Sequence, residues 1–157
     1  MPFPGHPVDD IILFRHSESN CLLWAPRSFL AIPHDELSFY YNGCGPRGLS
    51  KAIPQSILGL RISYLCYIHD HMYERCCCEE DEIIADGIFA QNLILWIWHH
   101  STWYSMMPRY ISSAKFMYAV SATTYSEEYW AANRAECPIG VRYAITHSQG
   151  GEGGRSF

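Results

Sequence analysis

The chain has 157 residues, of which 48% are hydrophobic and 17% charged, and it carries a net charge of −5. That length suits one domain, and that composition a packed core rather than a disordered polymer. With Lys51 and Lys115 as its only lysines, the acidic chain lacks both a nucleic-acid footprint and the basic patch that draws proteins to anionic membranes. No nucleic-acid partner is therefore expected. Aromatic residues reach 15%, with 5 Trp and 11 Tyr, which suits a Trp-rich core or an aromatic surface offered to a partner or a lipid interface.

In chain order, the opening "MPFPGHPVDD" has prolines and acids where a signal peptide has a cationic and then an apolar run. No signal peptide is expected from it, so the location is cytoplasmic by default, with release by a non-classical route left open. Residues 1–40 read as an irregular, β-rich segment of the same domain. "DDIILFRHS" forms a short strand there, and the prolines of "PRSFLAIPHDELSFYY" keep any other strand short. Residues 42–61 read as loop, with Gly43, Gly45, Gly48 and two prolines.

Helices follow. From about Leu60 to Arg75, the positions Ile62, Leu65, Cys66, His69, Met72 and Tyr73 fall on one face. From about Glu79 to Trp98 the face is Ile83, Asp86, Phe89, Ala90, Leu93 and Ile97, with four acids in the first turn. A third helix is expected to start at Pro108, and a shorter fourth over "TYSEEYWAANRAE", capped by Thr124 or Ser126. The helical domain thus spans 41–147, and residues 148–157 read as a flexible tail. The longest strongly apolar run, "LILWIW" at 93–98, is far short of the roughly 20 residues that span a bilayer. The expected fold is mainly α.

Two residues stand out chemically. A histidine on an apolar helix face, such as His69, reads by itself as a satisfied core residue. Asp86 is harder to absorb, because a carboxylate among Ile, Phe, Ala and Leu is costly unless paired. If the two helices run antiparallel, their faces meet with His69 and Tyr73 opposite Asp86, and imidazole N–H and phenol O–H are the donors that carboxylate needs. A base oriented by an acid is the result. Asp70 points about 100° away from His69 around the helix, toward the glycine loop. Carboxylate and backbone carbonyl oxygens are the donors that calcium favours, and glycines allow a loop to turn its carbonyls inward.

The ordered triple "Tyr41-Asn42-Gly43-Cys44-Gly45", "Cys66-Tyr67-Ile68-His69-Asp70-His71-Met72-Tyr73" and "Ala85-Asp86-Gly87-Ile88-Phe89" resembles the phospholipase A2 superfamily, in particular its compact bacterial, phage-type and parvovirus-capsid members. The resemblance covers residues 40–93, about a third of the chain. It implies a core of two antiparallel helices preceded by a metal-binding loop, with short N-terminal strands and further C-terminal helices around it. It implies that His69 is the general base, oriented by Asp86 and Tyr73, and that Asp70 and the carbonyls of Tyr41, Gly43 and Gly45 hold Ca2+. The substrate would be a phospholipid, met at a membrane surface. Cys44 and Cys66 are the pair placed near the family's cysteines, with Cys44 shifted within its loop, and a bridge between them would staple the metal loop to the catalytic helix; two free thiols are the alternative. Pro46-Arg47 departs from the family's glycine-rich continuation. A lipid-touching rim would draw on Trp24, Phe29, Leu30 and the Trp96, Trp98 and Trp103 group.

Two other readings compete. A binding or structural protein could keep a phospholipase-like scaffold without catalysis. A zinc-binding module could use Cys66, His69, His71 and the run Cys76 to Cys78, although His69 and His71 diverge by about 200° on a continuous helix. Seven cysteines leave at least one thiol unpaired within the chain, which fits a reducing compartment. No G-x-S-x-G elbow and no phosphate-cradling P-loop is present. The pattern does not set an oligomeric state.

Overall fold

The computed structural model describes residues 10–41, 43–44, 53–75 and 79–121. The expected fourth helix, the tail at 148–157, Gly45 and Cys76 to Cys78 lie outside the described residues. What is described is mainly helical, with two short antiparallel strand pairs.

The apolar run after Asp10 becomes β1 (Ile11–Arg15), which pairs with β2 (Leu22–Pro26) in the register Leu13 opposite Trp24. Asn20 closes the connecting turn at φ 62°, a left-handed conformation that asparagine tolerates better than most residues. Its N–H donates to the His16 carbonyl at 2.8 Å, and the His16 N–H to that of Cys21 at 2.8 Å. Only β2 turns a fully buried face inward, through Leu23 and Ala25. The prolines then break the chain into single turns: α1 (Arg27–Leu30), a 3-10 turn at His34–Glu36, and α2 (Leu37–Tyr40).

Residues 56–61, expected to be loop, form a small hairpin of β3 (Ser56–Ile57) and β4 (Leu60–Arg61). Its two-residue turn places Leu58 at φ 46° and Gly59 at φ 77°. Positive φ at both central positions is what twisted strands require, but leucine at the first of them is not a turn signal, which is why the hairpin is hidden in the sequence.

Three long helices follow: α3 (Ser63–Tyr73), α4 (Glu79–His100) and α5 (Trp103–Ser121). The last begins five residues before the expected start at Pro108. Thr102 caps it: its carbonyl accepts from the N–H groups of Ser105 and Met106, while the Ser105 hydroxyl accepts from the Thr102 N–H at 3.0 Å. This reciprocal pairing nucleates the helix upstream, and Pro108 rides within it on an exposed position.

The core lies where α4 meets β2 on one side and α3 on another, with α5 alongside. The inward face of α4 runs through Asp81, Ala85, Phe89, Asn92, Leu93, Trp96 and Ile97. It is rotated from the expected one: Ile83 is 63% exposed, and Asp86 and Ala90 sit at its margin. On α3 the buried set includes Ile68, His71 and Met72, while His69 and Tyr73 are only partly buried. The core histidine of this helix is therefore His71, and His69 lies at the edge of the seam.

Two polar contacts fix α4 against its neighbours. The fully buried Asn92 accepts from the Trp24 N–H at 2.7 Å and donates to the Trp24 carbonyl at 2.8 Å, serving β2 as the backbone of a third strand would. The Trp96 indole donates to the Arg61 carbonyl at 2.9 Å. Replacing Asn92 with leucine strips partners from both Trp24 backbone groups. The expected loss is about 2 kcal/mol or more of unfolding free energy, measured by urea denaturation; a change below about 0.5 kcal/mol would show that Asn92 is not the clamp.

Candidate functional site

Across the α3–α4 seam His69 Nε2 lies 2.7 Å from Asp86 Oδ1. An ionised carboxylate only accepts, so Nε2 carries the proton, and the ring is held as the tautomer whose Nδ1 has a free lone pair. Among the described residues Nδ1 has no hydrogen-bond partner. The imidazole lies between two aromatic rings, Tyr73 at 4.8 Å and Phe89 at 5.0 Å between centroids. One turn along, the Tyr73 hydroxyl, expected to serve Asp86, donates instead to Glu82, which precedes Asp86 by four residues on α4. The pairs 69 with 86 and 73 with 82 count up one helix and down the other, so α3 and α4 run antiparallel here.

The His69 and Asp86 side chains are 21% and 46% exposed. Asp86 was expected to be enclosed among apolar side chains, and the rotation of the α4 face explains the difference. The pair opens to solvent at the rim of the seam, so water reaches the imidazole, and truncating Asp86 should cost little stability.

The glycine loop is anchored by two contacts to α3 and by a third to Gln55, just ahead of β3. Cys44 and Cys66 form a disulfide with Cα atoms 4.9 Å apart, which resolves the alternative between a bridge and free thiols and takes Cys66 out of the zinc-ligand set. The Tyr41 hydroxyl lies 2.5 Å from His71 Nδ1. The Gln55 amide accepts from the Cys44 N–H at 3.0 Å and donates to the Cys44 carbonyl at 3.2 Å. Gly43, at φ 91°, passes so close to the Gln55 carboxamide that a Cβ would overlap it.

Cys66 and Asp70 are four residues apart on α3, so the disulfide brings the loop to the helix face that carries Asp70. Electrostatics agree with that placement: burial pushes the Tyr41 phenol above its ordinary value, Arg75 opposes, and the nearby Glu74 and Asp70 add to the rise. Of the expected calcium ligands, Tyr41 thus lies within electrostatic reach of Asp70, and Gly43 belongs to the loop that the disulfide fastens to the same helix. Gly45 lies outside the described residues.

Gln55 and Ser28 are site residues that sequence reasoning missed, and His71, which it named only as a zinc-ligand candidate, has a structural part instead. His71 is fully buried. Nδ1 accepts from Tyr41 and from Arg75, the latter at 3.1 Å, and Nε2 donates to the Ser28 hydroxyl at 2.9 Å. One neutral ring thereby ties α1, the glycine loop and α3 together. Its spacing from Ile68 and Met72 was the available signal; Gln55 and Ser28 carry none that sets them apart from other loop polar residues. Of the expected lipid rim, Phe29 and Trp96 are buried, whereas Trp98 and Trp103 are 67% and 85% exposed. Phe39 and Tyr40, directly before Tyr41, are exposed as well.

No family model, no curated protein and no solved structure matches the chain.

Burial, with Arg75 adding to it, pushes the His71 pKa down to about 3 from an ordinary 6.5. The folded protein keeps this ring neutral while the unfolded chain protonates it below pH 6.5. Its contribution is complete above that pH and is lost as pH falls toward 3, with a slope of up to about 1.4 kcal/mol per pH unit for one proton. Denaturation measured between pH 7 and 4 should show this slope, reduced in His71→Gln; an equal slope in the variant would contradict the assignment. Gly43→Ala should displace the Gln55 clamp and leave the helices folded, seen as faster amide exchange at Cys44 with unchanged far-UV circular dichroism.

Proposed function

We propose that the chain is a calcium-dependent phospholipid ester hydrolase of the phospholipase A2 type. The observation that carries this reading is the 2.7 Å pair of His69 Nε2 and Asp86, on the helix whose Cys66 also fastens the glycine loop. A base with one nitrogen held by an acid and the other without a hydrogen-bond partner among the described residues suits activation of water.

In this reading Asp86 holds the proton on Nε2, and the rings of Tyr73 and Phe89 keep the imidazole upright in the seam. Nδ1 takes a proton from water as its oxygen bonds to the ester carbonyl carbon. The imidazolium, steadied by the Asp86 charge, then gives that proton to the departing alcohol oxygen, leaving a fatty acid and a lysophospholipid. Asp70 and the carbonyls of Tyr41 and Gly43, with Gly45, offer the hard oxygen donors that suit Ca2+, which when bound would polarise the ester carbonyl and offset charge on its oxygen. Phe39 and Tyr40 extend an apolar edge beside that loop, where an acyl chain or a lipid surface would lie. Among the described residues no helix is long and apolar enough to cross a membrane, so contact with lipid would come from this edge.

The test is fatty-acid release from mixed phospholipid micelles, with and without Ca2+. Wild type should turn over only with the ion, and His69→Gln should lose about 10²–10⁴-fold in rate while keeping its fold. Asp86→Ala should lower the rate but change stability by no more than about 0.5 kcal/mol, as for other partly exposed positions. Calcium binding by wild type without release from any phospholipid class would favour the non-catalytic scaffold instead.

A further inference from the structure

A second cluster lies at the end of the β1–β2 hairpin, built from residues to which the hydrolase reading assigns no part. His16 follows β1, Glu18 sits in the turn, and His34 opens the 3-10 turn; one donor atom from each lies within 4.8 Å of the others. Glu18 and His34 are exposed, whereas His16 is buried, its ring 4.3 Å from that of Tyr64 and 5.5 Å from that of Trp96.

His34 Nδ1 and Glu18 Oε1 approach to 3.6 Å, near the spacing of about 3.3 Å that two ligands adopt around a tetrahedral ion at 2.0–2.1 Å. A surface ion pair would account for that contact alone. It leaves His16 unexplained. Ser19 Oγ lies 2.8 Å from His16 Nδ1, but Nε2 is buried and has no hydrogen-bond partner among the described residues. Buried ring nitrogens without a partner are rare.

We propose that His16, Glu18 and His34 form a binding site for a divalent transition-metal ion of the zinc class. Ser19 meets Nδ1 with its hydroxyl at 2.8 Å and with its N–H at 3.3 Å; binding an ion at Nε2 moves the ring proton to Nδ1, which then donates to the Ser19 hydroxyl in place of the longer N–H contact. Two imidazoles and one carboxylate suit zinc or its neighbours and not calcium, which takes six or more oxygen ligands. Bound there, the ion joins the hairpin turn to the 3-10 turn and holds both against Tyr64 at the start of α3. The fourth position is left to water. This site is independent of the proposed hydrolysis and stands or falls without it.

The probe is Zn2+ alone, added to the metal-free full chain, with thermal unfolding and a competition chelator as readouts. Wild type should bind one equivalent at this site and melt at a higher temperature with zinc than without it. His34→Ala and Glu18→Gln alter exposed side chains and should fold normally, yet lose at least tenfold in affinity and most of the thermal shift. The triple change Cys76→Ser, Cys77→Ser, Cys78→Ser should leave the binding intact, and Co2+ in place of zinc should give the visible spectrum of a nitrogen–oxygen rather than a thiolate site. Absence of binding by wild type, unchanged binding in both single variants, or loss of binding only in the cysteine variant would each overturn the proposal.

Discussion

The contact between α3 and α4 is the constraint on which the rest depends. Antiparallel packing sets His69 against Asp86 and Tyr73 against Glu82 in consecutive turns, so the register of the seam fixes the imidazole tautomer. That register is itself held from outside. Asn92 locks α4 to β2, and Trp96 locks it to β4 just before α3 begins. A slip of one turn along either helix would separate acid from base by about 5.4 Å, so these two distant clamps serve the site without touching it.

The glycine loop depends on the same helix from its other side. The disulfide at Cys66, the buried His71 post and the Gln55 amide together give a short irregular segment several points of attachment. Irregular backbone carries many unsatisfied polar groups; here the Gln55 amide partners both the N–H and the carbonyl of Cys44. The cost of this design is a histidine that must remain neutral in the core, and hence a fold that weakens in acid.

Much of this was legible in the sequence. Helical periodicity placed α3 and α4 to within a few residues, and the pairing of His69 with Asp86 followed from a carboxylate that needed donors. Periodicity did not settle which edge of each helix faces inward. His69 and His71 both flank apolar positions, and Ile83 mimics a core residue although it is exposed, so the expected faces were rotated and the dyad was placed too deep. The β3–β4 hairpin was hidden because Leu58 adopts a left-handed conformation that tertiary contacts, not residue preference, must sustain. The start of α5 was hidden because Pro108 is a stronger sequence signal than the Thr102–Ser105 cap that precedes it. The cluster of His16, Glu18 and His34 is assembled by a turn and a distant 3-10 segment, and no local spacing announces it.

If both proposals hold, this small chain separates two ion chemistries: hard oxygen donors beside the dyad, and imidazoles with a carboxylate beneath the hairpin. The dyad is the more consequential claim, and ring 15N NMR of His69 near neutral pH tests it most directly. The account predicts a proton on Nε2 and a bare Nδ1 in wild type, with that preference lost in Asp86→Ala. A proton on Nδ1, or a variant ring indistinguishable from wild type, would contradict it.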